Sequence, residues 1–349
     1  MFQQILAEYD LQHTQSEVEP IKNGLINQTW RIKNSHGDFI LQRINDGVFK
    51  HPSAIAFNLR MLDDYLALTY PEYLFMAPGK TCKNEEMVFI EGKGYFRIFP
   101  FVKQSHTINA AQKPGQAFEA AKAFGKFTRL LSHFPVEKLQ ITLPNFHNLS
   151  LRYSQFFEAL ENGNKNRIEQ SQELIWFIKE HRNIADTYES ILINPAFRQR
   201  VTHHDTKISN VLFDDKDKGL CVIDLDTVMP GYFISDVGDM MRTYLSPVSE
   251  EEKDISKIEI RADYFKAIAK GYLSEMNEEL STEEKNHFIY AGKFMIYMQA
   301  LRFITDYINN DVYYGAKYEG QNFVRANNQV TLLKRLLEKE KDLIKIISS

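Results

Sequence analysis

The stretch Thr202–Asp226, THHDTKISNVLFDDKDKGLCVIDLD, decides how the rest of the chain is read. Its polar head, His203 to Asn210, is followed by two short apolar runs, Val211 to Phe213 and Leu220 to Asp224, on either side of a charged turn. Short runs of this composition, bounded by Asp and Gly, predict a hairpin. The returning strand ends in Ile223-Asp224 and so brings a carboxylate back towards the head. Asp205, Lys207, Asn210 and Asp224 are thereby gathered at one end of the hairpin.

Those residue types suit phosphoryl transfer. The reaction needs a carboxylate that orients or deprotonates the attacking hydroxyl, oxygen ligands that hold magnesium against the phosphates, and positive charge beside the transferring group. Asp205 is the candidate base. Asn210 and Asp224 are candidate metal ligands, because magnesium takes one or two carboxylates and leaves its other positions to phosphate and water. Lys207, two residues after Asp205, is placed to reach the transferring phosphate. Four residues separate Asp205 from Asn210, the spacing of the protein-kinase catalytic loop. A lone D-x4-N pair arises often by chance. The His-Asp pair before it and the apolar hairpin ending in Ile-Asp after it make this occurrence specific.

Upstream, the chain alternates strands and turns. Thr29 to Lys33 and Phe39 to Ile44 predict a hairpin around NSHGD, and Glu86 to Ile90 and Tyr95 to Phe99 predict another around EGKG. Between them, Ile55, Leu59, Leu62 and Leu66 have helical spacing. From Ala110 onward the periodicity is mostly helical, with helices expected over 117–131, 174–192, 257–276, 283–309 and 330–347. The fold class is α+β: a small β-rich N-lobe over residues 1–102 and a larger, mainly helical C-lobe over residues 103–349.

Composition excludes several other classes. With 42 Lys and Arg against 46 Asp and Glu the net charge is −4, which gives no basic surface for nucleic acid. No apolar run reaches the length of a membrane span. Met1 to Asp10 has no secretory pattern. Cys82 and Cys221 are too few for a disulfide framework and read as free thiols, so a cytoplasmic location is expected. No obligate protein partner is evident.

The pattern H-x-D-x4-N followed by Ile-Asp resembles the aminoglycoside phosphotransferase and choline kinase superfamily. HHDTKISNVLFD and CVIDLDTVMPGYFISDVGD resemble its bacterial N-acetylhexosamine 1-kinase branch. So do Gly24 to Trp30 (GLINQTW), Phe39 to Asn45 (FILQRIN), Arg97 to Val102 (RIFPFV), Pro144 to His147 (PNFH), Arg302 to Tyr307 (RFITDY) and Asn322 to Arg325 (NFVR), which together span nearly the whole chain. The resemblance implies a bilobal protein-kinase-like fold that binds ATP and Mg2+ between its lobes. Gly24 and Asn27 would form the turn over the phosphates, and Pro100, Phe101 and Val102 the hinge against adenine, unless these apolar residues are plain interlobe core. The usual N-lobe lysine is missing. Gln42 and Arg43 point to opposite faces of one strand, and Arg43 is favoured for its charge. Its usual glutamate partner is missing too, since Asn58 lies near that place.

The remaining polar residues leave alternatives open. Asp226 either joins the metal or holds the loop, and Asp236 and Asp239 read as caps of a helix beginning near Val237. Arg302 and Asp306 are four apart on a predicted helix and share a face. They form either a surface ion pair or, given Tyr307, Tyr313 and Tyr314 nearby, part of a sugar pocket. His147 either packs or reaches that pocket. The leading expectation is transfer of the ATP γ-phosphate to the C1 hydroxyl of an N-acetylhexosamine. The alternatives are a kinase of choline, homoserine or an aminoglycoside, or a non-catalytic pseudokinase. An intact Asp205, Asn210 and Asp224 argues against the last.

Overall fold

The computed structural model of the chain describes residues 2–12, 16–21 and 26–348. The N-terminal part comprises α1 (Phe2–Ala7), β1 (Glu17–Ile21), β2 (Gln28–Asn34), β3 (Gly37–Arg43), α2 (Pro52–Thr69), β4 (Val88–Ile90) and β5 (Gly94–Pro100). The five strands form one antiparallel sheet in the order β1-β2-β3-β5-β4. Its register follows from the two-residue period of a strand. Ile32, Leu41, Phe96 and Ile98 turn inward and pack with Ile5 and Leu6 of α1. Their neighbours Ile40, Gln42, Arg97 and Phe99 are left on the opposite face, where they wall the main cavity of the molecule.

Helix α2 sits at the seam between the two parts. Proline at its first turn suits a position where the N–H has no helical partner. Its apolar stripe, Ile55, Leu59, Leu62 and Leu66, belongs to the core of the helical part rather than to that of the sheet. Asn58, at the place expected for a glutamate, is buried. Its Nδ2 donates to the carbonyls of Gln140 (2.8 Å) and Val228 (3.0 Å), and its Oδ1 accepts from the Gln140 amide (2.8 Å).

The helical part comprises α3 (Pro114–Leu130), α4 (Leu149–Asn162), α5 (Lys165–Gln170), α6 (Gln172–Glu180), α7 (Asn183–Ile193), β6 (Arg200–Thr202), β7 (Val211–Phe213), β8 (Gly219–Val222), β9 (Met229–Gly231), α8 (Phe233–Tyr244), α9 (Ala262–Met276), α10 (Thr282–Asn286), α11 (Phe288–Ile308) and α12 (Gln321–Ser348). The expected hairpin is β7 and β8, with Val211 opposite Val222. Two expected helices are each broken in two. At both breaks a histidine Nδ1 reaches the carbonyl four residues back: His181 to Phe177 at 2.8 Å and His287 to Glu283 at 2.9 Å. At the second break the buried Glu284 also closes a capping box with Ser281 and receives Arg200 at 2.5 Å, which fixes α10 as a separate turn. Helix α12 starts at Gln321 rather than Val330. Its first turns bury polar side chains, such as Asn328 against the Ser249 carbonyl, so apolar periodicity does not reveal them. Among the described residues no helix is long and apolar enough to cross a membrane.

Asn58 supplies the first test. Asn58→Leu leaves two carbonyls and one amide without partners in a buried seam. Each lost partner costs about 1–3 kcal/mol, so a stability loss of roughly 3 kcal/mol is expected in chemical denaturation. A midpoint unchanged from the parent would contradict this role.

Candidate active site

The catalytic loop is held from below by α8. Asp236 is almost fully buried, and its two oxygens accept from the backbone amides of His203 (3.1 Å) and His204 (2.7 Å). Asp239, one turn later, accepts from the Thr206 amide (2.9 Å) and pairs with Arg242 (2.9 Å). The Thr206 hydroxyl donates to the Asp236 carbonyl, and the Tyr244 hydroxyl to the Thr206 carbonyl. Neither aspartate caps its own helix, as the sequence had suggested. Helix α8 starts earlier, at Phe233, and has no side-chain cap. Burial pushes the Asp236 carboxyl up to about 7 against the pull of the two amides. His203 packs edge-on to Phe124, and its Nε2 lies 2.9 Å from the Ile223 carbonyl, tying the loop to the end of the hairpin.

On this base the expected residues come together. Asp205, Lys207, Asn210 and Asp224 all wall one cavity of about 570 Å³. Lys207 Nζ lies 3.1 Å from Asp205 Oδ2. Burial alone would lower the Lys207 pKa, but Asp205 and Asp239 outweigh it and hold the ammonium charged. Asn210 Nδ2 donates to the Asp205 carbonyl (2.9 Å), which leaves its side-chain oxygen for a cation. Asp224 adopts a left-handed backbone, φ +59°, a strained conformation of the kind found at functional turns. Loss of bulk water, then the Asp226 and Asp205 carboxylates, push the Asp224 carboxyl up to about 7, while Lys207 and Arg97 pull it down. Water still reaches this side chain through the open cleft, so the neighbouring carboxylates are the firmer cause. Hard oxygens and crowded negative charge fit magnesium. Asn210 and Asp224 would hold it, and it would neutralise phosphate charge.

The nucleotide side differs from expectation in three places. Gln42, not Arg43, faces the cavity. Arg43 shares the face of the core residue Leu41, and its guanidinium lies against Gly94, near Asp46. Asp226 is engaged by the sheet: Asn27 Nδ2 donates to its Oδ2 (2.7 Å) and Arg97 Nη2 lies 2.5 Å from its Oδ1, which has no hydrogen-bond partner. Asn27 faces inward to Asp226 and to the Asn45 amide (3.0 Å) rather than outward over a phosphate. Gly24 lies outside the described residues. Pro100, Phe101 and Val102 do line the cavity, with Ile40, Phe99, Leu212 and Ile223. Just beyond them, reciprocal backbone bonds between His106 and Phe213 (2.9 Å each) fix this segment to β7.

Of the acceptor-side residues only Arg302 keeps an open role. Its guanidinium packs over Tyr313 and Tyr314 and donates to the Tyr313 hydroxyl (3.3 Å). It does not pair with Asp306. That carboxylate accepts from the amides of Tyr313 and Tyr314 and from Asn322 (2.7–3.0 Å), shaping the turn after α11. Tyr307 turns away and donates to Gln170 (2.6 Å). His147 walls a second cavity of about 210 Å³, where it meets the Ser235 hydroxyl. Burial, then His204, Arg302 and Arg242, hold its pKa well below the ordinary value, so it is neutral. Sequence reasoning named Arg242 and Arg325 without giving them a role and did not single out Arg152 or Glu250. Arg242 and Arg325 both pair with Glu250, and Arg325 stacks on Phe303. The NFVR run containing Arg325 was the available signal.

The raised Asp224 carboxyl gives a second test. A carboxyl raised to about 7 is protonated below that pH, and a metal must displace the proton. Mg2+ binding to the nucleotide-free protein, followed by calorimetry, should weaken from pH 8 to pH 6 by about tenfold for one proton displaced. Asp224→Asn should bind weakly at both values. Affinity independent of pH in the parent would contradict the assignment.

The fold has solved relatives of low sequence identity. An aminoglycoside phosphotransferase from Alicyclobacillus acidocaldarius superposes with a TM-score of 0.60 at 13% identity, over 97% of this chain and 96% of that one. A microcompartment-associated aminopropanol kinase gives 0.60 at 14% identity, over 98% and 97%. An amicoumacin kinase in complex with AMP-PNP and Ca2+ gives 0.58 at 13%, over 93% and 88%. These likenesses show the kinase-like α+β fold. Residues 17–272, most of the chain and all of the catalytic loop, match one family model. The chain therefore belongs to the phosphotransferase enzyme family.

Proposed function

We propose that this phosphotransferase moves the γ-phosphate of ATP, with Mg2+, to the anomeric C1 hydroxyl of an N-acetylhexosamine. Asp205 orients that hydroxyl and takes its proton. The anomeric hydroxyl is more acidic than an ordinary alcohol, so the demand on this base is modest. Lys207, paired with Asp205, lies where negative charge gathers between acceptor and phosphate. Asn210 and Asp224 are the metal ligands, and the apolar slot from Ile40 to Val102 takes the adenine.

The observation that carries the choice of acceptor is the charge on the helical side of Asp205. Among the described residues, four carboxylates on that side are already partnered. Asp239 holds Arg242, Glu250 holds Arg242 and Arg325, Asp306 holds backbone amides, and Asp236 holds the catalytic loop. Tyr313 and Tyr314, the aromatic pair that would cage an ammonium group, already carry Arg302. A cationic amino alcohol would thus meet arginines and no free anion. A neutral sugar finds guanidinium and hydroxyl donors instead. The resemblance of RFITDY and VIDLDTVMPG to the N-acetylhexosamine branch supports the same choice. The names of the solved relatives favour amino alcohols and aminoglycosides, and those acceptors form the comparison arm of the test.

Free N-acetylglucosamine and N-acetylgalactosamine should be phosphorylated, with phosphorus coupling at the anomeric carbon in NMR, and their methyl glycosides should be inert. Arg302→Leu should raise the sugar KM by about tenfold or more, since a polar pocket discriminates through its unpaired groups, while leaving ATP hydrolysis without sugar unaltered. Phosphate on C6, equal turnover of the methyl glycoside, or turnover of aminopropanol or choline alone would overturn the sugar 1-kinase reading.

A further inference from the structure

The cleft face of the sheet lacks the cation expected on β3. Gln42 occupies that place, and Arg43 lies behind the strand. Directly across the ladder from Gln42 stands Arg97 of β5. Among the described sheet residues that wall the cavity, it is the one cation. Its side chain is 2% exposed. Nε and Nη2 donate to Gln42 Oε1 at 3.1 and 2.8 Å, and Nη2 lies 2.5 Å from Asp226. Nη1 is buried and has no hydrogen-bond partner, and neither has Asp226 Oδ1, which faces Nη2 as an ion pair without hydrogen-bond alignment. A guanidinium nitrogen left unpaired away from water is costly, and such a group in a native fold calls for an explanation.

We propose that Arg97 is the nucleotide-phosphate ligand of the sheet, supplying from β5 the positive charge that β3 does not. This rests on the reading of the cavity as an ATP site. Gln42 aims the guanidinium through two parallel contacts, replacing the missing lysine as a positioning residue. Asp226 is its counter-ion in a buried wall, and through Asn27 and Arg97 it ties the sheet to the catalytic hairpin. Nη1 is the donor reserved for a phosphate oxygen. Arginine suits this role because its planar fork keeps two nitrogens on protein acceptors while the third bonds the ligand.

The test compares ATP with adenosine in metal-free buffer containing chelator, so that a metal role of Asp226 does not enter. Removing Arg97 alone would leave Asp226 buried without its cation and risks misfolding. The variant is therefore Arg97→Met with Asp226→Asn, checked by thermal unfolding. ATP affinity should fall by about tenfold or more, the worth of one charge-assisted bond, with adenosine affinity within about twofold of the parent on that same scale. Asp226→Asn alone is the reference for the double variant, so that the loss assigned to Arg97 is counted from it. Adding Gln42→Lys to the double variant should restore part of the loss by returning a cation to β3. Equal losses for ATP and adenosine, or no further loss of ATP affinity on adding Arg97→Met to Asp226→Asn, would overturn the assignment. A parent protein that binds adenosine but not ATP would overturn it as well. Absence of sugar turnover would leave it untouched, because the readout is nucleotide binding. A parent that binds neither ligand would overturn both the nucleotide reading and this one.

Discussion

The carboxylate of Asp236, buried beneath the catalytic loop, accepts the amides of two successive residues, His203 and His204. A backbone that presents two adjacent N–H groups to one anion is bent sharply, and His204 takes up that bend with a left-handed φ of +67°. The bend turns Asp205 out of the core and into the cleft. Asp239 repeats the device at Thr206, so both sides of the base are held from α8. Removal of either aspartate would leave amides unpaired in a closed interior, where the loss cannot be made good by water. Everything that faces the cleft is built outward from this grip: Asn210 is aimed by the Asp205 carbonyl, and the hairpin end is fixed by His203.

The same logic divides the charges of the site into two kinds. Those beneath the loop, Asp236 and Asp239, are engaged by backbone amides and by Arg242 and are structural. Those above it, Asp205, Asp224 and Asp226, outnumber their cations, Lys207 and Arg97, and so favour a bound metal. Towards the acceptor the balance reverses. Arg152, Arg242, Arg302 and Arg325 gather around residues whose carboxylates are already engaged. The carboxylates crowd the end of the cleft that holds Asp224, and the arginines gather on the helical side beyond the loop.

Much of this was legible in the sequence, and the limits have physical causes. The catalytic hairpin could be read because its residues are close in sequence and their chemistry demands that spacing. The strands could be read from composition, but the phase of β3 could not. Phe39, Ile40 and Leu41 are all apolar, so alternation alone does not say whether Gln42 or Arg43 meets the cleft; packing of Leu41 against α1 decides it. Asp236 and Asp239 looked like caps because their true partners are amides some thirty positions away. Asp306 looked like the partner of Arg302 because helical spacing permits that pair, yet the turn after α11 supplies amides that bind it more closely. Long-range backbone partners of this kind leave no local mark.

In the proposed reaction Asp205 meets an anomeric hydroxyl across from a nucleotide phosphate. A crystal structure with a non-hydrolysable ATP analogue, Mg2+ and N-acetylglucosamine would decide it. The expected arrangement has the C1 oxygen within hydrogen-bond reach of the Asp205 carboxylate and in line with the terminal phosphate, with Asn210 and Asp224 on the metal. A sugar that presents its C6 hydroxyl to Asp205, or a terminal phosphate lodged away from Asp205 and Lys207, would contradict it.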